Sequence, residues 1–118
     1  MPKVLCIDDE RVILKILKIF LQDDYEVSSF EKPKDGLEAA LTGEYPIIIT
    51  DIRMPGMTGL EIIDALEKQD VDCKVIVITS HPKSDEEQSR LIVNHVQKPI
   101  NKQVVQDAVK SAFDSLAA

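Results

Sequence analysis

Three short, unbroken runs of aliphatic and β-branched residues restrict the fold of this chain more tightly than anything else in it. Val4-Leu5-Cys6-Ile7, Ile47-Ile48-Ile49-Thr50 and Val75-Ile76-Val77-Ile78 show no polar alternation, so each reads as a strand buried on both faces. Strands of that kind need cover above and below. Two weaker strands complete the set. Tyr25 to Phe30 alternates apolar and polar, as a strand nearer the sheet edge would. Asn94 to Gln97 is placed mainly by position and is stopped by Pro99.

Helical patterns fill the gaps. From Arg11 to Gln22, Val12, Ile13, Ile16, Leu17, Ile19 and Phe20 recur at helical spacing, with Lys15 and Lys18 on the opposite face. Pro33 is placed as a first helical residue, and the helix to about Leu41 would bury Leu37, Ala40 and Leu41 before Gly43 closes it. Gly36 weakens that helix. Thr58 and Glu61 form a capping box for a helix carrying Leu60, Ile63 and Leu66. Ser84 to Glu87 resembles a second box, opening a short helix with Leu91 and Ile92 as its apolar residues. Asn101 can cap a final helix with a buried stripe of Val105, Ala108, Val109, Ala112 and Leu116. Five rounds of strand then helix predict an α/β fold, a mostly parallel sheet with helices on both faces.

Composition excludes several classes. At 118 residues the chain is expected to be a single domain. Its 44% hydrophobic and 30% charged content is that of a globular rather than a disordered protein. No apolar run reaches the length of a membrane span and no leader opens the chain, so no membrane association and a cytoplasmic location are expected. Twenty-one acidic against fourteen basic residues leave a net charge of −7, which argues against direct nucleic-acid binding and favours cations and basic partners. Cys6 and Cys73 adjoin apolar runs and read as free buried thiols.

In a parallel sheet all carboxyl ends lie along one edge, where ligands bind. Asp8, Asp9, Asp51, Thr79 and Lys98 would converge there from distant parts of the sequence. Taken alone, Asp51 is also consistent with a residue that merely ends a strand; the other carboxylates decide the matter. Three carboxylates in one crevice repel one another unless positive charge is supplied. Lys98 supplies one charge, and the all-oxygen cluster suits a hard divalent cation such as Mg2+. No Cys/His spacing suits zinc, and there is no Gly-rich phosphate loop or dinucleotide fingerprint. A carboxylate, Mg2+, a lysine and a hydroxyl together suit phosphoryl transfer onto the carboxylate.

With these residues in place, the chain resembles the response-regulator receiver domain over essentially its whole length, 1–118. The residues that carry the likeness are Asp8-Asp9, Asp51 in Asp-Ile-Arg-Met-Pro-Gly-Met-Thr-Gly, Thr79, and Lys98-Pro99. The resemblance implies a flavodoxin-like, doubly wound five-stranded parallel sheet of order 2-1-3-4-5 with five helices. It implies Asp51 as phosphoacceptor from a sensor histidine kinase or a histidine phosphotransfer protein. Asp9, Asp51 and the backbone carbonyl of Arg53 would bind Mg2+ directly, and Asp8 would act mainly through water. Lys98 would pair with the phosphoryl group, with Lys98-Pro99 a candidate cis peptide, and Thr79 would move toward the new group. The partners implied are a downstream target or a covalently linked output domain, with a phosphorylation-dependent dimer as a further arrangement.

Two departures stand out. The switch position three residues before the lysine, usually Tyr or Phe, is His95. It is either a rotating switch with added charge sensitivity or a neutral, half-buried substitute. The stretch between Thr79 and Lys98 is about one helical turn shorter than the family norm, so the usual partner geometry on that face is not assumed. Arg53 and His81, two past Asp51 and Thr79, border the attacking water's path and should tune phosphoryl lifetime.

Two other classes of function compete. A Mg2+-dependent phosphohydrolase would need a general acid where Arg53 stands and a cap segment over the site. A phosphorylation-independent interaction module would have no need to hold these charges together. The expectation is a switch that catalyses only its own phosphorylation and dephosphorylation. A stand-alone receiver and a receiver within a longer chain fit equally well.

Overall fold

The computed structural model describes residues 1–81 and 89–117. Five strands form one parallel sheet: β1 (Lys3–Ile7), β2 (Glu26–Phe30), β3 (Ile47–Asp51), β4 (Lys74–Thr79) and β5 (Ile92–Gln97), in the order β2-β1-β3-β4-β5. The order matches the expectation, with β2 at one edge. Four helices lie among the described residues: α1 (Arg11–Leu21), α2 (Pro33–Leu41), α3 (Gly59–Lys68) and α4 (Lys102–Ala117). The fifth, expected to open at Ser84, falls outside the described residues. Two residues expected in it are not helical. Leu91 is a buried turn residue and Ile92 begins β5, which therefore starts two residues earlier than its weak signal at Asn94 suggests.

The unbroken apolar runs do what their pattern requires. Side chains alternate across a strand, so Val4, Cys6, Ile47, Ile49, Ile76 and Ile78 pack on one side of the sheet with Leu17 and Leu21 of α1 and Val105 and Val109 of α4. Leu5, Ile7, Ile48, Val75 and Val77 face the other side, against Ala40 of α2 and Ile62, Ile63 and Leu66 of α3. Each large aliphatic residue fully buried this way contributes roughly 2 kcal/mol of transfer free energy. Cys6 and Cys73 are buried free thiols. Burial, and less strongly the charge of Asp8, pushes the Cys6 thiol up to about 12, and burial with Asp72 pushes Cys73 to about 11.

The helix faces are corrected in detail. On α1, Val12 and Ile19 are 65% and 62% exposed, while Leu14 is buried with Ile13, Leu17 and Leu21. The apolar residues of α1 cover more than one face, and the sheet uses only the face centred on Leu14, Leu17 and Leu21. On α3 the buried residues are Ile62, Ile63 and Leu66, with Leu60 half-buried. The capping box is present: the Thr58 hydroxyl accepts from Glu61 N–H at 3.2 Å and Glu61 Oε1 accepts from Thr58 N–H at 3.0 Å. Asn101 Oδ1 accepts from the amides of Gln103 and Val104, capping α4. Gly43 closes the α2 turn at φ 77°. Gly36, read as a weakness, has a packing role, since an added Cβ would lie 2.7 Å from the Ile7 side chain.

Candidate functional site

The sheet grows in one direction from β1 to β2 and in the other from β1 through β3, β4 and β5. The carboxyl ends of β1 and β3 therefore flank the switch point where doubly wound sheets bind ligands. β1 ends immediately before Asp8 and Asp9, and β3 ends on Asp51. The three carboxylates come together, with one oxygen from each lying within 4.8 Å of the others. Asp8 and Asp51 are buried, whereas Asp9 is exposed to solvent.

The two buried carboxylates are each held by a backbone amide. Asp8 Oδ1 accepts from Glu10 N–H at 2.9 Å, and Asp8 N–H donates to the Phe30 carbonyl. Asp51 Oδ1 accepts from Ile52 N–H at 2.7 Å. The loop after Asp51 is pinned from the far side, where Gly59 N–H donates to the Ile52 carbonyl at 2.8 Å. A Cβ at Gly59 would overlap the Asp51 carbonyl oxygen, so only glycine permits this approach of α3 to the loop. Arg53 stands two residues into that loop with its side chain exposed.

Lys98 arrives from the end of β5. Its Nζ lies 2.9 Å from Asp51 Oδ2, 2.9 Å from Glu10 Oε1 and 3.1 Å from Asp8 Oδ2. Its side chain is only 7% exposed. Burial alone would lower the lysine's pKa, but its hydrogen bonds to Glu10 and Asp51 and its ion pair with Asp8 outweigh burial and raise it, so the ammonium persists. Glu10 is the participant that sequence reasoning missed as a ligand of Lys98. Its adjacency to Asp8-Asp9 was the available signal, but the contact spans 88 positions. The Lys98-Pro99 peptide is cis, as the resemblance suggested.

Burial raises Asp8 to about 6, and the nearby Asp51 charge adds to this, although the Glu10 amide and Lys98 pull the other way. Its Oδ2 is buried and receives no hydrogen bond; its one close contact is the ion pair with Lys98 at 3.1 Å. A buried carboxylate oxygen short of partners, beside two further carboxylates, fits an oxygen-preferring divalent cation.

Thr79 is buried at the end of β4, one residue past Ile78, the ladder partner of Asp51. Its hydroxyl oxygen accepts from His81 N–H at 3.2 Å and its carbonyl accepts from Lys98 N–H at 2.8 Å. His95 is half-buried on β5, opposite Val77, and its N–H donates to Asn94 Oδ1. It therefore lies in the strand leading to Lys98.

This is a doubly wound α/β domain with a carboxylate and lysine cluster at its switch point, and comparison with known proteins names its kind. Residues 4–113 match the response regulator receiver domain family, and the chain belongs to that family. It is 32% identical over 108 residues to an uncharacterized response regulatory protein of Staphylococcus epidermidis, covering 86% of this chain and 42% of the relative. The transcriptional regulatory protein HptR of Staphylococcus aureus matches with the same identity and coverage. The chain thus spans less than half of these relatives. Among solved structures, response regulator TrrA of Thermotoga maritima, in complex with Mg2+ and BeF, aligns at TM-score 0.84 and 32% identity over 95% of this chain and 99% of its own. A receiver domain protein of Methanospirillum hungatei aligns at TM-score 0.91 and 22% identity, covering 99% and 97%, which speaks for the fold. Receiver domains are signalling domains of two-component systems. No helix among the described residues is long and apolar enough to cross a membrane.

Proposed function

We propose that this domain accepts a phosphoryl group on Asp51 from a histidine kinase or a histidine phosphotransfer protein and thereby switches its surface toward a downstream target or a linked output domain. The observation that carries this reading is the meeting of Asp51 Oδ2, Lys98 Nζ and the Asp8/Asp9 carboxylates at one buried point. Phosphoryl transfer needs little covalent chemistry from a protein beyond positioning and charge neutralisation, and this cluster supplies both. The Asp51 carboxylate attacks phosphorus in line. Its new P–O bond forms as the donor's P–N bond breaks, and the departing imidazole takes a proton. Lys98, already paired with Asp51, follows the charge onto a phosphoryl oxygen, and Glu10, the exposed member of its shell, gives way. The buried Thr79 hydroxyl is placed to donate to another phosphoryl oxygen after a short movement.

Asp8, Asp9, Asp51 and the Arg53 carbonyl would hold Mg2+, with Asp8 acting chiefly through water. When bound, the ion neutralises phosphoryl oxygens that three carboxylates would otherwise repel. Without that neutralisation the cluster favours protonation of Asp8. Hydrolysis completes the cycle: water attacks phosphorus, the P–O bond to Asp51 breaks and inorganic phosphate leaves, so turnover of other substrates is not part of the role. Arg53 and His81 flank the water's approach and set the lifetime of the acyl phosphate. A phosphorylation-dependent dimer is one form the switched surface can take.

Intact mass after incubation with acetyl phosphate tests the reading. A single phosphate adduct that requires Mg2+ and disappears in Asp51→Asn is expected. An Asp51→Asn protein that still gains the adduct would overturn it.

A further inference from the structure

Glu10 stands at the N-cap of α1, where a side chain would ordinarily accept from the first helical amides. It makes no such bond. Its carboxylate turns away from the helix and accepts from Lys98 Nζ at 2.9 Å. The backbone of Glu10 is committed elsewhere, its N–H donating to Asp8 Oδ1 and its carbonyl accepting from the amides of Ile13 and Leu14. A change of the side chain alone therefore spares both α1 and the contact with Asp8.

The three carboxylates around Lys98 differ in what they can do when a phosphoryl oxygen arrives. An ammonium carries three N–H donors and no more. Asp51 and Glu10 already take hydrogen bonds from it, and Asp8 faces it as an ion pair at 3.1 Å. A phosphoryl oxygen must compete with these groups. The Asp8 side chain is fully buried and has no solvent to turn to. Asp51 carries the incoming group. The Glu10 side chain is 55% exposed, so its carboxylate can pass into water at little cost.

We infer that Glu10 is a built-in competitor of the phosphoryl group, an autoinhibitory carboxylate that occupies Lys98 in the resting domain and lowers the affinity of the site for phosphoryl. The inference rests on Asp51 being the phosphoacceptor. Glu10 acts through Lys98 and is a positioning residue. An acid that served only solubility would have no reason to reach a lysine this deeply buried.

The test is a titration of the whole chain with beryllofluoride, a stand-in for a phosphoryl group on a carboxylate, in saturating Mg2+ and followed by amide chemical shifts. Wild type is compared with Glu10→Gln, which removes the charge at equal length, and with Glu10→Asp, which keeps the charge but is one methylene shorter and is drawn to the helix amides as an N-cap. Both variants are expected to bind roughly three- to tenfold more tightly than wild type, between the worth of an exposed ion pair and that of a charge-assisted hydrogen bond. Both should also gain the phosphate adduct from acetyl phosphate faster by a similar factor. Tighter binding in Glu10→Gln alone would reduce Glu10 to a charge that repels anions at the mouth and would overturn the competing contact. Unchanged or weaker binding in both variants, as a merely structural Glu10 would give, would overturn the inference and leave the phosphoacceptor reading standing. Absence of binding in wild type and both variants, with the spectra of a folded chain, would overturn that reading and the inference with it.

Discussion

β3 and β5 deliver their functional residues to the same point under opposite conditions. All five residues of β3 are buried, and it is hydrogen-bonded on both sides in uninterrupted register. β5 is an edge strand with one fully buried residue, Val96, and its ladder with β4 slips between Val75 and Ile76. Yet Asp51 at the end of one lies 2.9 Å from Lys98 at the end of the other. The contrast teaches that the acceptor is fixed by packing and the cation by charge. Three carboxylates hold Lys98 in place of the second ladder that β5 lacks. A phosphoryl group that draws Lys98 away therefore acts on an edge strand with one buried residue and one ladder, which is where a switch can be moved at low cost.

The largest effect expected from breaking this arrangement is at the packed side, where Asp51→Asn abolishes the phosphate adduct seen by intact mass. At the charged side, Lys98→Ala should slow adduct formation by about 10²-fold, the usual effect of losing one preorganised charge partner. It should also lower hydrogen-exchange protection of the β5 amides while leaving β3 unchanged; equal loss in both strands would refute the contrast. Gly59→Ala forces α3 off the Asp51 carbonyl and should cost about 2–3 kcal/mol in urea unfolding, the upper range for overpacking.

Asp8→Asn sharpens the comparison in the other direction. The folded pKa of Asp8, about 6, lies above its ordinary value of 3.8. The folded state thus binds this proton more tightly than the unfolded chain, and the metal-free protein loses stability as pH rises from about 4 to about 6, then levels. The loss is on the order of 2–3 kcal/mol for a shift of this size. Asp8→Asn should remove that slope and unfold at higher urea near pH 7 in EDTA, while losing the stabilisation that Mg2+ gives the wild type. The smallest effect is expected at His95. His95 is half-buried and phenylalanine keeps a planar ring there, so His95→Phe should cost about 1 kcal/mol or less by the same measurement.

Much of this was legible from residue order. β1, β3 and β4 announce themselves because strands covered on both faces must be continuously apolar, and that requirement puts Asp8, Asp9, Asp51, Thr79 and Lys98 on one edge. What the sequence hid depends on neighbours that only the fold supplies. The apolar residues of α1 spread over two faces, and nothing in the sequence says that Leu14 rather than Val12 or Ile19 meets the sheet. β5 begins two residues before its signal at Asn94 because an edge strand carries little pattern of its own. Gly36 weakens α2 by propensity, and only the fold sets Ile7 beneath it. Glu10 stands at the start of α1, but its side chain makes no cap there and instead reaches Lys98.

The buried thiols of Cys6 and Cys73 have a practical consequence. With pKa values of about 12 and about 11, only about one in 10³–10⁴ of these groups is thiolate near pH 8, and the thiolate is the species that alkylating reagents attack. A single cysteine introduced at an exposed position such as Val93 on β5 or Val104 on α4 would therefore take up a fluorophore or spin label selectively in the otherwise native sequence. Probes placed at those two positions would report the movement of β5 and α4 as Asp51 is phosphorylated.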